Sequence, residues 1–245
     1  QLPQESKVFK GVDKKWLKIM ENAAERKNVV QCCQNDILKN ELPSLKADLD
    51  TCQKKLDTYL DKKRKAFPRF FFCSNKDLLK VLSNGSDPTA IQDDFEKLFD
   101  AVSEVIFDDF NPKIIKTIFQ KFAGDTEMLP FIEGVLAEGN VEDWLCAVEK
   151  EMQNTVKARC LNAASDCFNM KFDEFVPAYQ SQFSLLGVQM LWTQKTTEAL
   201  QTLKERKQAF IAKGKEIQEI MDVLQRLCVS DIRSKLIRTK IETLV

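Results

Sequence analysis

Histidine is absent from the whole 245-residue chain, and that absence removes more chemistry than any other feature. Ser-His-Asp and Cys-His nucleophile systems and His-Glu-x-x-His zinc proteases cannot be assembled, and structural zinc sites that use imidazole are closed to it. Eight cysteines are present, but no Cys-x-x-Cys pair occurs, so an all-cysteine zinc site lacks its spacing. Cys32 and Cys33 are adjacent, and Cys52, Cys146 and Cys228 fall inside apolar helical patterns, where reduced core thiols are expected rather than a disulfide framework. An excess of one charge is also missing. Lys plus Arg and Asp plus Glu number 37 each, which leaves no overall field to attract nucleic acid or an anionic membrane. No apolar run approaches the roughly 18 residues that cross a bilayer, and Gln1-Leu2-Pro3-Gln4-Glu5 has no charged-then-apolar signal pattern. A soluble intracellular protein is expected, with neither nucleic acid nor membrane among its partners. A phosphate loop is lacking too: Gly134 and Gly139 have the four-residue gap, but Asn140-Val141 stands where Lys-Ser/Thr is required. Asp93-Asp94 and Asp108-Asp109 mark no cleft and read as turns or solvated faces. The sequence therefore nominates no catalytic, cofactor-binding or metal-binding residue.

Glycine and proline are scarce, at seven each, while Lys, Glu, Asp, Leu and Ala are plentiful, which favours helices. A first helix is predicted from Asp13, as N-cap, to about Cys33, with Trp16, Ile19, Met20, Ala23 and Val30 on its apolar face. A second begins near Pro43 and presents Leu45, Leu49, Cys52, Leu56 and Tyr59 at alternating spacings of four and three, a seam that needs a partner helix. The basic run Lys62 to Lys65 suits that helix's C-terminal end; phosphate binding or nuclear import is the alternative reading. Next comes Phe67-Pro68-Arg69-Phe70-Phe71-Phe72-Cys73-Ser74, predicted as a short buried strand because four phenylalanines call for a core and Pro68 disfavours helix at Phe67.

Ser74 and Asp77 resemble a capping box opening a short helix through Leu82. Asp87-Pro88 starts an amphipathic helix carrying Ile91, Phe95, Leu98, Phe99 and Val102. Val105 to Phe107, Ile114 to Phe119 and Met128 to Phe131, separated by turn signals, predict a small β-meander paired with the Phe-rich strand; Lys113 to Lys121 also fits a short helix. Asn140 is placed as the cap of a helix running to about Phe168, with Trp144, Val148, Met152 and Val156 on one face. Pro177 is expected to open a last arm in which Leu203, Phe210, Ile217 and Leu224 recur every seven residues. Leu200, Met221 and Cys228 take the companion positions, and Lys207 and Gly214 break that row. Long antiparallel helices follow, with a bend or turn at Gly214 and a final helix capped by Ser230. The expected fold is mainly α: an elongated helical bundle with a small antiparallel β-meander. It is read as one domain in three parts, a helical hairpin over 1–66, short helices plus the meander over 67–135, and a long-helix arm over 136–245. The chain starts without Met and ends inside an apolar-periodic run, which suggests a segment of something longer.

The motifs resemble those of a known family. Leu2-Pro3-Gln4-Glu5, Val12-Asp13, Trp16-x-x-Ile19-Met20, then Tyr59-Leu60-x-x-Lys63-Arg64-x-x-Phe67-Pro68-Arg69-Phe70-Phe71-Phe72-x-Ser74 and Leu78-Leu79 look like the linker region of dynein heavy chains. Gly139-Asn140-Val141-Glu142-x-Trp144-Leu145 and Pro177-x-x-Gln180 leading to Gln189-Met190-Leu191-Trp192-Thr193 continue the likeness in order across nearly the whole chain. Val29 to Cys33 and Leu185 to Met190 are similar to axonemal outer-arm heavy chains of the γ type. Two departures stand out. Phe122-Ala123-Gly124-Asp125-Thr126-Glu127 replaces a Ser-x-Glu-Gly-Glu turn, and the Trp common before the proline helix is absent, with Phe172 and Phe175 nearby.

The resemblance implies a mechanical lever that bends and straightens across a ring of AAA+ ATPase modules during microtubule-based ciliary movement. It implies ATP and Mg bound elsewhere in the parent chain, and partners comprising that ring, microtubules and other dynein subunits. Its place would be the cytoplasmic side, in the axoneme of a cilium or flagellum. Arg64, Phe67, Arg69, Phe70, Trp144 and Trp192 are the structural or interface candidates. Asn169, Phe172, Phe175 and Pro177 form the first hinge candidate and Gly214 the second. The competing class is a non-motor helical scaffold or adaptor that only binds partner proteins, which composition and periodicity do not separate from a lever. Catalysis by the segment itself is not expected: the pure segment should hydrolyse no ATP, and hydrolysis lost on mutating one of its own carboxylates would overturn that.

Overall fold

Pro3 decides where the chain first turns helical. Its fixed φ and missing N–H suit the first turn, and in the computed structural model helix α1 runs over Pro3–Arg26. Residues 2–34, 36–122, 125–203, 207–230 and 234–244 are described. The predicted start at Asp13 is ten residues late, because a proline in the first turn outranks a later aspartate as a start signal. The helix also stops before Cys33: Lys27 turns left-handed, with φ 53°, and its N–H closes on the Ala23 carbonyl. Asn28 then caps a short α2, Val29–Cys33, by accepting from the Gln31 N–H at 3.2 Å. Helix α3, Asp36–Ala66, is one 31-residue rod that takes Pro43 into its interior rather than starting there. The chain divides into two compact units, Gln1–Phe71 and Phe72–Val245.

In the first unit α1 and α3 run antiparallel. Lys55 Nζ reaches Glu5 Oε1 at 2.9 Å, and Cys52 Sγ lies 3.8 Å from the Glu5 carbonyl. Val12, Leu45 and Leu60 are buried along them, whereas Trp16, Met20, Val30 and Leu49, placed by periodicity on apolar faces, are exposed. Lys63, Arg64 and Lys65 occupy the last turn of α3, where cations complement the macrodipole.

The Phe-rich segment is no strand. Pro68–Phe72 forms a 3-10 helix, with Phe70 N–H bonded to the Phe67 carbonyl at 3.1 Å. A lone strand needs a neighbour to satisfy its backbone, whereas an i→i+3 turn satisfies its own. The three-residue period buries Phe67, Phe70 and Cys73 and leaves Phe71 63% and Phe72 78% exposed. The Phe67 and Phe70 rings meet edge-on at 5.0 Å.

The second unit opens with α4, Asn75–Ser83, capped as predicted: Ser74 Oγ accepts from Asp77 N–H at 3.2 Å and donates to the Asp77 carboxylate at 2.6 Å. Asp87 caps the next element through Thr89, but the predicted α-helix is a 3-10 segment, Pro88–Asp94, followed by the single turn α5, Phe95–Leu98. Its stripe of Ile91, Phe95, Leu98, Phe99 and Val102 is buried all the same. Asp94 is buried between Lys80 and Lys97 at 2.8 and 3.0 Å. Burial opposes its ionisation, yet the two lysines outweigh this and hold the carboxyl below its ordinary range.

The meander is present. Strands β1, Glu104–Phe107, β2, Ile114–Phe122, and β3, Asp125–Leu136, form an antiparallel sheet in the order β1-β2-β3, so the helical reading of Lys113 to Lys121 falls away. The Phe-rich segment takes no part in it. Ala123 and Gly124, in the divergent hairpin turn, lie outside the described residues. The β2–β3 register slips between Ile115 and Thr117, and helix α6, Val141–Asp166, supplies the bonds the ladder gives up: Thr155 Oγ1 accepts from Ile132 N–H at 3.2 Å and Glu151 Oε1 from Glu133 N–H at 3.1 Å. Asn140 occupies the cap position of α6, but its amide donates to Asp143 Oδ2 at 2.8 Å and makes no side-chain cap bond to the helix N–H groups.

Three corrections fall in the last arm. Pro177 lies within α7, Phe172–Ala178, and α8 begins at Ser181, spanning Ser181–Leu203. Gly214 lies inside α9, Lys207–Val229, so the reversal precedes it: α8 and α9 run antiparallel, tied by Lys195 and Glu216 at 3.2 Å. Ser234, not Ser230, caps α10, Lys235–Leu244, by accepting from Ile237 N–H at 3.3 Å. Leu224 is buried on the predicted seam; the side chains of Leu203, Lys207 and Phe210 lie outside the described residues. Replacing Phe67 by alanine is expected to cost about 3–5 kcal/mol, and the same change at Phe72 no more than about 0.5 kcal/mol, measured by denaturant unfolding; equal costs would contradict the 3-10 assignment.

Candidate functional site

Between α6 and α8 the chain changes direction twice within fifteen residues, and every step is held by a named contact. Helix α6 ends at Asp166, and Asn169 and Met170 N–H bond back to the Asp166 carbonyl at 2.9 and 2.8 Å. Phe172, half-buried, and Phe175, fully buried, meet edge-on at 6.4 Å, and Phe175 lies 5.1 Å from the Tyr179 ring. Pro177 is exposed in the last turn of α7, at a place where its missing N–H disturbs only the end of a short helix. Ala163, Cys167, Val176, Phe183, Leu191 and Ile241 complete the core around these rings. Gly187 of α8 is needed here: a Cβ would stand 2.8 Å from the Phe175 ring and 3.2 Å from the Ala163 carbonyl, so only glycine lets α8 lie this close to α6.

Polar contacts then fix the junction on three sides. Tyr179 OH donates to Asp166 Oδ2 at 2.5 Å. The Tyr179 carbonyl accepts from Ser184 Oγ at 3.2 Å and from Lys240 Nζ of α10 at 2.9 Å. Lys240 Nζ also pairs with Glu127 Oε1 of β3 at 2.8 Å, and that oxygen accepts both the Ser181 N–H and the Ser181 hydroxyl at 2.8 Å, placing a carboxylate at the N-terminus of α8. Gln180 Nε2 donates to the Met128 carbonyl at 2.8 Å. Burial, with the Asp166 carboxylate beside it, pushes the Tyr179 hydroxyl up to about 12.

The hinge candidates Asn169, Phe172, Phe175 and Pro177 therefore lie together at this junction, whereas Gly214 sits apart in mid-helix. Trp144 is buried, its Nε1 donating to the Gly85 carbonyl at 3.4 Å and its ring 6.3 Å from Phe95. Trp192 is 53% exposed on α8. Arg64 bridges α3 to the 3-10 segment, with Nε 3.5 Å from the Phe70 carbonyl and its guanidinium 5.9 Å from the Phe71 ring; Arg69 is half-buried beside them in sequence. Sequence reasoning missed Glu127, Asp166, Tyr179 and Lys240. A signal existed for two of them. Lys240 is the one charge in the stripe Ile237, Lys240, Ile241, Leu244, and Tyr179 is one of two tyrosines in a chain with 17 phenylalanines.

The two glycines with phosphate-loop spacing do not stand together in a loop before a helix. Gly134 stands inside β3, where a Cβ would fall 2.6 Å from an Ile114 methyl, and Gly139 precedes α6 with Asn140-Val141 after it. Among the described residues no group of three His, Cys, Asp or Glu side chains is placed to hold a metal ion, and no helix is long and apolar enough to cross a membrane.

The family model described as dynein heavy chain, N-terminal region 2, matches residues 1–163. The chain belongs to the dynein heavy chain family. Over 248 residues it is 39% identical to dynein axonemal heavy chain 5 of Rattus norvegicus, covering all of this chain and 7% of that relative. It is 36% identical to the dynein gamma chain, flagellar outer arm, of Chlamydomonas reinhardtii and 35% identical to dynein axonemal heavy chain 8 of Homo sapiens, covering all of this chain and 5% of each. This heavy-chain segment thus spans only 5 to 7% of the relatives it matches.

The Tyr179 contact carries a pH prediction for the heavy-chain segment. The folded state favours the neutral hydroxyl, so an unfolded chain, whose tyrosines ionise near pH 10, releases its proton first, and stability falls as pH rises from 10 toward about 12. Tyr179→Phe should flatten that alkaline limb and cost about 1.5–3 kcal/mol at neutral pH; unfolding curves across pH, with tyrosinate absorbance, measure both.

Proposed function

We propose that this segment is part of the mechanical linker of an axonemal dynein heavy chain, a lever whose angle changes during the ATP cycle of the parent chain. Family membership over residues 1–163 carries the reading. Similarity to axonemal heavy chains, including a flagellar outer-arm chain, supports placing it in a cilium or flagellum. A lever has to be stiff along its length and pliable at one place. Helices α6, α8 and α9, of 26, 23 and 23 residues, supply stiffness, and the seven-residue α7 between Asp166 and Ser181 is the place to absorb rotation. The hinge is accordingly assigned to Asn169 through Pro177. ATP and Mg act in ring modules outside this segment, and microtubules and the other dynein subunits are partners of the parent chain.

The test uses the full-length parent chain with one fluorophore at exposed Lys76 on α4 and another on the ATPase ring. Energy transfer is expected to change between nucleotide-free and ATP-bound states. Transfer that stays constant through the cycle would leave a static scaffold in place of a lever. Structures in two nucleotide states that superpose through Asn169 to Pro177 without rotation would remove the hinge assignment while sparing the lever.

A further inference from the structure

Helix α10 carries a lysine where its packing stripe calls for a hydrophobe. Ile237, Ile241 and Leu244 line the face turned to the core around Phe175 and Tyr179, and Lys240 shares that face at 7% exposure. An ammonium group enclosed in this way is tolerated only where fixed acceptors replace its water. Two do so. One is the Glu127 carboxylate at 2.8 Å, from β3, and the other is the Tyr179 carbonyl at 2.9 Å, at the end of α7. The same Glu127 oxygen receives both donors of Ser181, the first residue of α8. The Lys240 ammonium and the Glu127 carboxylate therefore join three stretches that are far apart in sequence: β3, the junction between α7 and α8, and α10.

We propose that Lys240 is a latch that makes displacement of α10 and loosening of the α7–α8 junction one event. Lifting α10 away strips Glu127 of its counter-ion and the Tyr179 carbonyl of a donor, both in an enclosed setting. Rotation at the junction carries the Tyr179 carbonyl and Ser181 out of register with Glu127 and Lys240, which leaves the ammonium uncompensated and favours release of α10. The coupling is reciprocal because both movements break the same contacts. It is a property of these side chains and holds whether the segment is a lever or a static scaffold.

Hydrogen exchange on the full heavy chain tests the latch. In Lys240→Met, which keeps the aliphatic stem, amide exchange should quicken by roughly tenfold or more in α10, in Tyr179 to Phe183 and in Glu127 to Leu129 together, with α4 and the first half of α6 unchanged. Glu127→Gln, which keeps an acceptor for Ser181 but removes the charge, should quicken the same three segments to a smaller degree. The double variant should add little to Lys240→Met alone. Acceleration confined to α10 in Lys240→Met, additive effects in the double variant, or an equal rise in α4 would each overturn the proposal. If Lys240→Met does not fold, Glu127→Gln decides: faster exchange in α10 supports the latch, and a change restricted to β3 and Ser181 defeats it.

Discussion

The docking of α10 against β3 and the α7–α8 junction depends on a buried cation, Lys240. Enclosing an ammonium in a protein interior costs several kcal/mol of hydration, and that cost is offset only while Glu127 and the Tyr179 carbonyl stay within 3 Å of Lys240. A methionine there would satisfy burial in many relative positions of α10. A lysine satisfies it in one, so the charge specifies how α10, β3 and the α7–α8 junction dock, where apolar packing alone leaves latitude. Tyr179 works in the same direction: its hydroxyl is committed to Asp166, its carbonyl to Lys240 and Ser184, and its ring to Phe175.

The first unit is built on a different balance. Helices α1 and α3 are long but bury few side chains, Val12, Leu45 and Leu60 among them, and their contacts include exposed pairs such as Glu5–Lys55, whose individual worth is small. Local helix preference carries much of their order, as the many Lys, Glu and Leu residues allow. At the end of α3 the character changes. Phe67 and Phe70 are buried completely, and Arg64 extends from the helix to the Phe70 carbonyl and the Phe71 ring, so an arginine braces the aromatic turn that ends this unit.

Much of the fold was legible in the chain. The mainly helical character, the three-strand meander, the Ser74 capping box, the Asp87 cap and the buried stripe from Ile91 to Val102 follow from local spacing and turn chemistry, which neighbouring residues decide among themselves. The failures have physical causes as well. The Phe-rich segment has strand composition, but composition says nothing about whether a sheet edge is within reach, and the backbone closed on itself instead. Asp13 has the chemistry of an N-cap, but α1 is already under way there, because Pro3 suits a first turn. Gly214 was read as a turn on propensity, yet a helix paired along its length with α8 tolerates one glycine at about 1 kcal/mol. The junction residues Asn169 to Pro177 drew attention as a hinge candidate through irregular patterning, whereas the residues that secure the junction, Glu127, Asp166 and Lys240, lie up to more than a hundred positions from one another in the sequence and carry no local mark beyond a charge on an apolar stripe.

By itself the sequence determined that histidine-based chemistry is closed to this heavy-chain segment, where most helices and strands lie, and, through ordered motifs, its family. Those properties depend on residue identity and on neighbours within a few positions. Tertiary structure alone decided which phenylalanines of the aromatic turn are buried, that α8 and α9 reverse before Gly214, and that Lys240 meets Glu127 at the Tyr179 carbonyl. Each of these depends on groups brought together across tens of residues, and a buried charge finds its partner only when the whole unit has closed around it.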